Sequence, residues 1–258
     1  HSKNKPLAED VDLDNIARTT AGFVGADLEN LMNESAIIAA KNERAFIKQE
    51  DIQKAFIKVG IGAEKKSRVI SEKEKRITAY HEAGHAILFH LLPDVGPVHT
   101  VSIIPTGVGA AGYTMPLPEK DEMFNTKGKM LQNIVVDLGG RVAEELVLDD
   151  ITTGASQDIK QATELAKAMV TKYGMRSDVG TNRVFLNTEQ YHMQTSTITN
   201  KVNAEIDKII KNAYDKALNL LKEHSKLVHV LVEKLLENGM LSKLELEEII
   251  KSVEGSGE

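Results

Sequence analysis

The stretch ITAYHEAGHAILFH, residues 77–90, sets His81 and His85 four positions apart, with Glu82 directly after the first histidine. On an α-helix, side chains at i and i+4 share a face and lie about 6 Å apart along the axis. Two imidazoles placed so can converge on one metal ion, and zinc takes imidazole nitrogen at about 2.0–2.1 Å. Glu82 sits about 100° further round the helix. It cannot easily join both histidines on the metal, but it can reach a water in the metal's open position. The chemistry available to such a set is hydrolysis: the metal acidifies the water and polarises a carbonyl, and the carboxylate takes the proton. H-E-x-x-H on a helix carries that reading for peptide bonds. The plainer reading is a pair of hydrogen-bonded histidines on a partly buried helix. Spacing alone favours the plainer one. The whole motif, with small Ala83, Gly84 and Ala86 around the second histidine, favours the metal.

A catalytic zinc usually has three protein ligands, and spacing does not choose the third. Asp137, Glu144, Glu145, Asp149, Asp150 and Asp158 are acidic candidates, and His90, His99, His192, His224 and His229 are further histidines. Asp158 has an ordinary explanation, since an acid in the first turn of a helix complements its dipole. Glu144 and Glu145 read equally well as solvated helix surface. The chain has no cysteine, so thiolate sites and disulfides are excluded and any metal is held by His, Asp or Glu.

The elements that must position these residues divide into two parts. Of 258 residues, 41% are hydrophobic and 27% charged, enough apolar surface for a core, and the net charge of −6 argues against a nucleic-acid surface. Apolar runs such as AIIAA at 36–40 are too short to span a bilayer. No signal peptide opens the chain, and its start at His1 suggests a piece of a longer protein.

Residues 7 to about 60 read as three short helices. Asp12 is the N-cap of the first, AGFVGA forms a turn, a stripe through Leu28, Leu31, Met32, Ser35, Ile38 and Ala39 marks the second, and KQEDIQKAFIKV the third. GIGAEKKSR at 60–68 reads as a linker. Ser71 with Glu74 is a capping box, opening a helix that runs through the histidine motif and stops before Pro93.

HTVSIIP and AAGYTMPL read as two strands joined by TGVG. KGKMLQNIVVDLGGRVAEELVL reads as one helix with Gly139-Gly140 inside it, which implies close helix packing. TTGAS is a loop, and a periodic helix follows with Ser156 as N-cap and Gly174 as stop. Residues 175–195 are irregular, and two or three helices complete the chain, the last opened by Ser242 and Glu245 in capping-box positions.

TAYHEAGHA, PVHTVSIIP, AAGYTMPLPEKD, LGGRVAEELV, TTGASQDIKQAT and AKAMVTKYGM occur in this order. Together they resemble the FtsH family of membrane-bound, ATP-dependent zinc proteases. DLDNIARTTAGFVGADLENLMNESAIIAA resembles the helical lid that closes an AAA+ ATPase module. The resemblance implies a mainly α chain: a helical AAA+ lid at residues 1–62, a linker at 63–70, and a mostly helical zinc peptidase domain with a small β-hairpin at 71–258.

It also implies that His81, His85 and Asp158 bind one Zn2+ per chain, with Glu82 as base. The implied whole is a zinc endopeptidase acting on unfolded and membrane proteins. It would work as a homohexamer at the cytoplasmic face of a bacterial inner membrane, held there by N-terminal segments absent from this chain. ATP and Mg2+ belong to the full-length protein only, and no nucleic acid is implied.

Small residues around the second strand, Ala111, Gly112, Tyr113 and Thr114, are candidates for pairing with an extended substrate; a tight hairpin alone would also explain the glycines. Gly25 and Ala26 are candidates for backbone contact with a nucleotide, or simply the turn that starts a helix.

Three positions depart from the family pattern. Gln157 stands where Asn is common, Thr106 where a basic residue is usual, and Val142 where Ala is found. None removes a ligand. Gly107, Gly109 and Gly112 spell G-x-G-x-x-G, but YTMPLPEKD with its two prolines follows instead of the helix a dinucleotide fold needs. G-x-x-x-x-G-K-[ST] is absent, which excludes an independent ATPase. The alternative to an endopeptidase is a non-catalytic oligomerisation or adaptor module of an AAA+ ATPase.

Overall fold

The computed structural model describes residues 1–20, 23–60, 70–106, 110–116, 124–148, 151–175 and 196–255. The expected linker, the TGVG turn, most of the irregular stretch after Gly174, and the candidates Asp149, Asp150 and His192 lie outside the described residues in whole or part. The chain is mainly α-helical with one small sheet, as its periodicity predicts. It divides into two compact units, His1–Val69 with Ile104–Gly112 and Leu117–Asp121, and Ile70–Ile103 with Tyr113–Pro116 and Glu122–Glu258.

The first unit contains α1 (Leu13–Thr19), α2 (Gly25–Lys41) and α3 (Gln49–Gly60). Asp12 caps α1, its carboxylate accepting from the Asn15 amide at 3.0 Å. At the start of α2 the Asp27 carboxylate accepts from the Val24 amide at 3.0 Å. Ile16, Leu31, Met32, Ala39, Ile47, Ile52 and Ala55 form the core, with Phe23 and Phe56 stacked beside it at 5.4 Å between ring centres. Gly25 and Ala26 lie exposed in the first turn of α2.

The second unit is built around α4 (Glu72–Leu91). Ser71 caps it: its hydroxyl accepts from the Glu74 amide at 3.2 Å, and the Glu74 carboxylate accepts from the Ser71 amide at 3.3 Å. From Thr78 to Leu88 every residue but His81 is fully buried, so α4 is a central helix wrapped by its neighbours. Around it lie α5 (Lys127–Asp137), α6 (Gly139–Leu148), α7 (Ser156–Thr171), α8 (Ser196–Glu223), α9 (Ser225–Asn238) and α10 (Lys243–Glu254).

The expected single helix through Gly139-Gly140 is two helices, α5 and α6, divided at Leu138. The reason is contact with α4. A Cβ on Gly84 would lie 2.4 Å from the Gly139 carbonyl oxygen, and one on Gly139 would lie 2.8 Å from Leu88 Cδ1. Backbone touches backbone there, which only glycine permits. The expected N-cap of α7 also moves by one residue: Ala155 occupies the cap without a side-chain hydrogen bond, and Ser156 opens the helix.

The sheet holds a strand that alternation does not reveal. β1 (Val98–Ser102) lies between β2 (Tyr113–Pro116) and β3 (Met240–Ser242), both antiparallel to it. β3 is three residues long, and its last residue, Ser242, is also the N-cap of α10. β2 is therefore a sheet edge among the described residues.

Candidate metal centre

The helical spacing of α4 brings His81 Nε2 and His85 Nε2 to 3.1 Å from each other. The far side of each ring is held. His85 Nδ1 lies 2.7 Å from the Val136 carbonyl, which only accepts, so Nδ1 carries the proton and the lone pair of a neutral ring is on Nε2. His81 Nδ1 lies 2.7 Å from Oε1 of Glu144, a carboxylate only 1% exposed, and the same tautomer follows. Glu144 is fixed in turn by the Thr152 amide, which donates to Oε2 at 3.0 Å. Both lone pairs therefore face one point.

The first turn of α7 brings a third possible ligand atom to that point. Asp158, in the first turn of α7, places Oδ2 at 3.2 Å from His81 Nε2 and 3.7 Å from His85 Nε2. Tetrahedral zinc with bonds near 2.0–2.1 Å separates its ligand atoms by about 3.3–3.4 Å. The three observed separations, 3.1, 3.2 and 3.7 Å, bracket that value. Two neutral imidazoles and one carboxylate also match the nitrogen and oxygen donors of a hydrolytic zinc site and leave a fourth position open. The residues present fit the ion.

The charges point the same way. Burial works against a proton on His81, but hydrogen bonds to Asp158 and Glu144 overcome it, and the imidazole is pushed up to about 10. Burial would raise Asp158, yet His81 and His85 hold it far below the usual carboxylate range. Glu144 is lowered too, against its burial, by His81 and Thr152. Such a cluster holds a positive charge at its centre, either a proton or a metal ion.

Glu82 stands apart from the three. It is 6% exposed, and burial pushes its carboxyl up, opposed by His85, His81 and the hydroxyl of Thr114. That hydroxyl, from β2, donates to Glu82 Oε2 at 2.8 Å and lies 3.2 Å from the Glu82 carbonyl oxygen. Gly140 completes the setting: a Cβ there would fall 2.4–2.6 Å from three atoms of the His81 ring.

The other candidates are engaged elsewhere. Glu145 accepts from the Tyr214 hydroxyl. His229 Nδ1 meets the Tyr80 hydroxyl at 3.1 Å, His224 Nδ1 the Leu220 carbonyl at 2.9 Å, His99 Nδ1 the Thr100 hydroxyl at 2.7 Å, and His90 Nε2 Glu254 at 3.5 Å. Asp137, pushed up to about 6 by burial, is outside the converging group.

Of the strand candidates, Ala111 and Gly112 precede β2, Tyr113 is buried with its hydroxyl donating to Met240 Sδ at 3.9 Å, and Thr114 turns to Glu82. Sequence reasoning missed Glu144 as the group that orients His81. Its signal was a carboxylate following the apolar Val142-Ala143 pair in the helix beside α4.

Comparison with known proteins adds two family matches. Residues 68–249 match the model of peptidase family M41, and residues 10–54 match that of the AAA+ lid domain. The chain is 48% identical, over 97% of its length, to an ATP-dependent zinc metalloprotease FtsH of Caldicellulosiruptor bescii. It is 47% identical over 98% of its length to that of Pseudothermotoga lettingae, and 43% over 97% to that of Thermotoga maritima. In each case it covers 42% of the relative, so it spans about two fifths of their length.

Proposed function

The chain belongs to peptidase family M41, and on that premise we propose that it is the zinc endopeptidase part, with the adjoining lid, of an ATP-dependent protease. His81, His85 and Asp158 are the zinc ligands in this reading, and Glu82 is the general base. The observation that carries it is the convergence of three ligand atoms at 3.1, 3.2 and 3.7 Å, with both histidines locked in the tautomer that a metal requires. A non-catalytic adaptor would leave that convergence without a use.

When bound, zinc supplies Lewis-acid chemistry, polarising a peptide carbonyl and acidifying water. The chain's own residues do the rest. Glu82 accepts the proton of the attacking water on its carboxylate and passes it to the departing amine. Burial raises its affinity for that proton. Glu144 and the Val136 carbonyl keep both imidazoles aimed. An extended substrate pairs by main-chain hydrogen bonds with Tyr113 and Thr114 of β2 and with Ala111 and Gly112, which precede it in sequence, so recognition depends little on side chains.

The proposal extends to what the relatives' length implies. Residues 1–62 are the lid and 71–258 the peptidase domain. Gly25 and Ala26 contact nucleotide held mostly by other parts of the full-length protein. The whole protein is a homohexamer anchored at the cytoplasmic face of a membrane, taking unfolded and membrane proteins. Among the described residues no helix is long and apolar enough to cross a membrane.

The test is degradation of a permanently unfolded protein by the zinc-loaded chain, with metal content measured in parallel. Glu82→Gln should retain about one zinc per chain and lose hydrolysis by roughly 10²–10⁴-fold, the contribution of a general base. Asp158→Ala should lose both, and Glu145→Ala neither. Cleavage by Glu82→Gln at the parent rate, or full zinc loading of Asp158→Ala, would overturn the assignment.

A further inference from the structure

We infer that Thr114 is the positioning residue of the general base: its hydroxyl, carried on the edge strand β2, fixes the Glu82 carboxylate for proton transfer. The inference rests on the peptidase reading above and adds a residue to it.

Glu82 is a flexible side chain buried to 6% exposure, and a carboxylate so placed needs a donor. α4 does not provide one from its own side chains: the donor comes from 32 residues away, the Thr114 hydroxyl at 2.8 Å from Oε2. The same oxygen lies 3.2 Å from the Glu82 carbonyl. A hydroxyl has one hydrogen, and the shorter contact, to the charged acceptor, takes it. Thr114 therefore touches residue 82 at both ends, side chain and main chain. The bond holds the carboxylate through Oε2 and leaves its other lone pairs to receive the proton.

The strand does not need the hydroxyl to stay in place. β2 is held by pairing with β1, Val98 opposite Pro116, Thr100 opposite Met115, Val101 opposite Thr114 and Ser102 opposite Tyr113. Successive side chains on a strand point to opposite faces. Tyr113 uses one face, reaching Met240 on β3, and Thr114 uses the other, reaching α4. One residue on the edge strand thus ties the segment proposed to carry substrate to the group proposed to activate water.

The experiment compares Thr114→Val, Thr114→Ser and Thr114→Ala in the zinc-loaded chain against the parent. Val keeps the branched shape that suits a strand and removes the hydroxyl. Misplacement of a reacting group by about 1 Å costs about 10²-fold in rate, so Thr114→Val should lower kcat by roughly 10–100-fold. KM and zinc content should stay near the parent's. Thr114→Ser, which restores the hydroxyl, should recover most of kcat. Thr114→Ala should follow Val, and it substitutes if the Val variant does not fold.

Crystal structures of the parent and the variants give a readout free of activity. Without the hydroxyl the Glu82 carboxylate should move or split between positions, and with Ser it should return. An unmoved Glu82 in Thr114→Val, or an active parent with an equally active Val variant, overturns the inference. A parent that binds zinc but cuts nothing would count against the proposed function, and the Glu82 displacement would still decide the role of Thr114.

Discussion

Gly140→Ala is the sharpest test of how the metal centre is packed. An added Cβ would lie 2.4 Å from His81 Cε1, 2.5 Å from Nε2 and 2.6 Å from Nδ1. Non-bonded carbons rest near 3.5–4.0 Å, so the imidazole and the new methyl must separate by about 1 Å. The ring has little freedom to do so. Its Nδ1 is held at 2.7 Å by Glu144, which is itself buried and bonded to the Thr152 amide. A zinc site tolerates ligand displacements of about 0.2 Å, so the required shift is roughly five times too large.

Two terms act on the fold. Alanine is favoured over glycine in a helix by about 1 kcal/mol, and overpacking a core costs about 1–3 kcal/mol. Gly140 does not have a positive φ, so backbone strain adds nothing. The net change in metal-free stability should be at most about 2 kcal/mol, while zinc affinity should fall by at least the roughly 10–100-fold seen when groups supporting a ligand are lost. Titration against a competing chromophoric chelator measures the second, and thermal unfolding of the metal-free chain the first. A Gly140→Ala chain that binds zinc at the parent's affinity would refute the claim that this glycine exists to seat His81.

Two further outcomes follow from neighbouring contacts. Glu144→Gln keeps the shape but loses the charge facing His81 Nδ1, and should weaken zinc binding by roughly 10–100-fold in the same chelator assay; unchanged affinity would mean that Glu144 does not orient the ring. Ser71→Ala removes the N-cap of α4 ten residues before His81, and should cost about 1 kcal/mol of stability, a fall of about 2–4 °C in Tm for a unit of this size, with zinc stoichiometry intact.

Most local signals in the sequence survived into the structure, the Ser156 cap of α7 excepted. The Ser71–Glu74 and Ser242–Glu245 pairs form capping boxes as their spacing implies, because a cap is decided within four residues. His81 and His85 converge because i and i+4 on a helix must. The features that did not show were those decided by contact between distant segments. Nothing local marks Met240–Ser242 as a strand; it becomes one because β1 has an open edge beside it. The Gly139-Gly140 pair weakens the helix locally but does not show that it ends at Leu138, where α4 presses against Gly139. Spacing could not rank Asp158 above Glu144 either, since both are acids in helices near the site. The structure separates them: one aims at the two Nε2 atoms, the other at a single Nδ1.

The same long-range contacts make zinc affinity a measure of the fold. His81 meets its carboxylate 63 residues away, His85 its carbonyl 51 residues away, and Glu82 its hydroxyl 32 residues away. α4 alone would present two histidines free to choose tautomer and rotamer. Packing α4 against α5 and α6 makes the choice for both at once, because Val136 lies in the last turn of one and Glu144 in the other. Gly84 and Gly139 permit that packing: a side chain at Gly84 would meet the Gly139 carbonyl at 2.4 Å and Ala143 Cβ at 2.7 Å. Forcing the helices apart there would carry Val136 and Glu144 away from their histidines together. Gly84 and Gly139 thus set the candidate metal site through the distance between helices, whereas Gly140 sets it through the His81 ring.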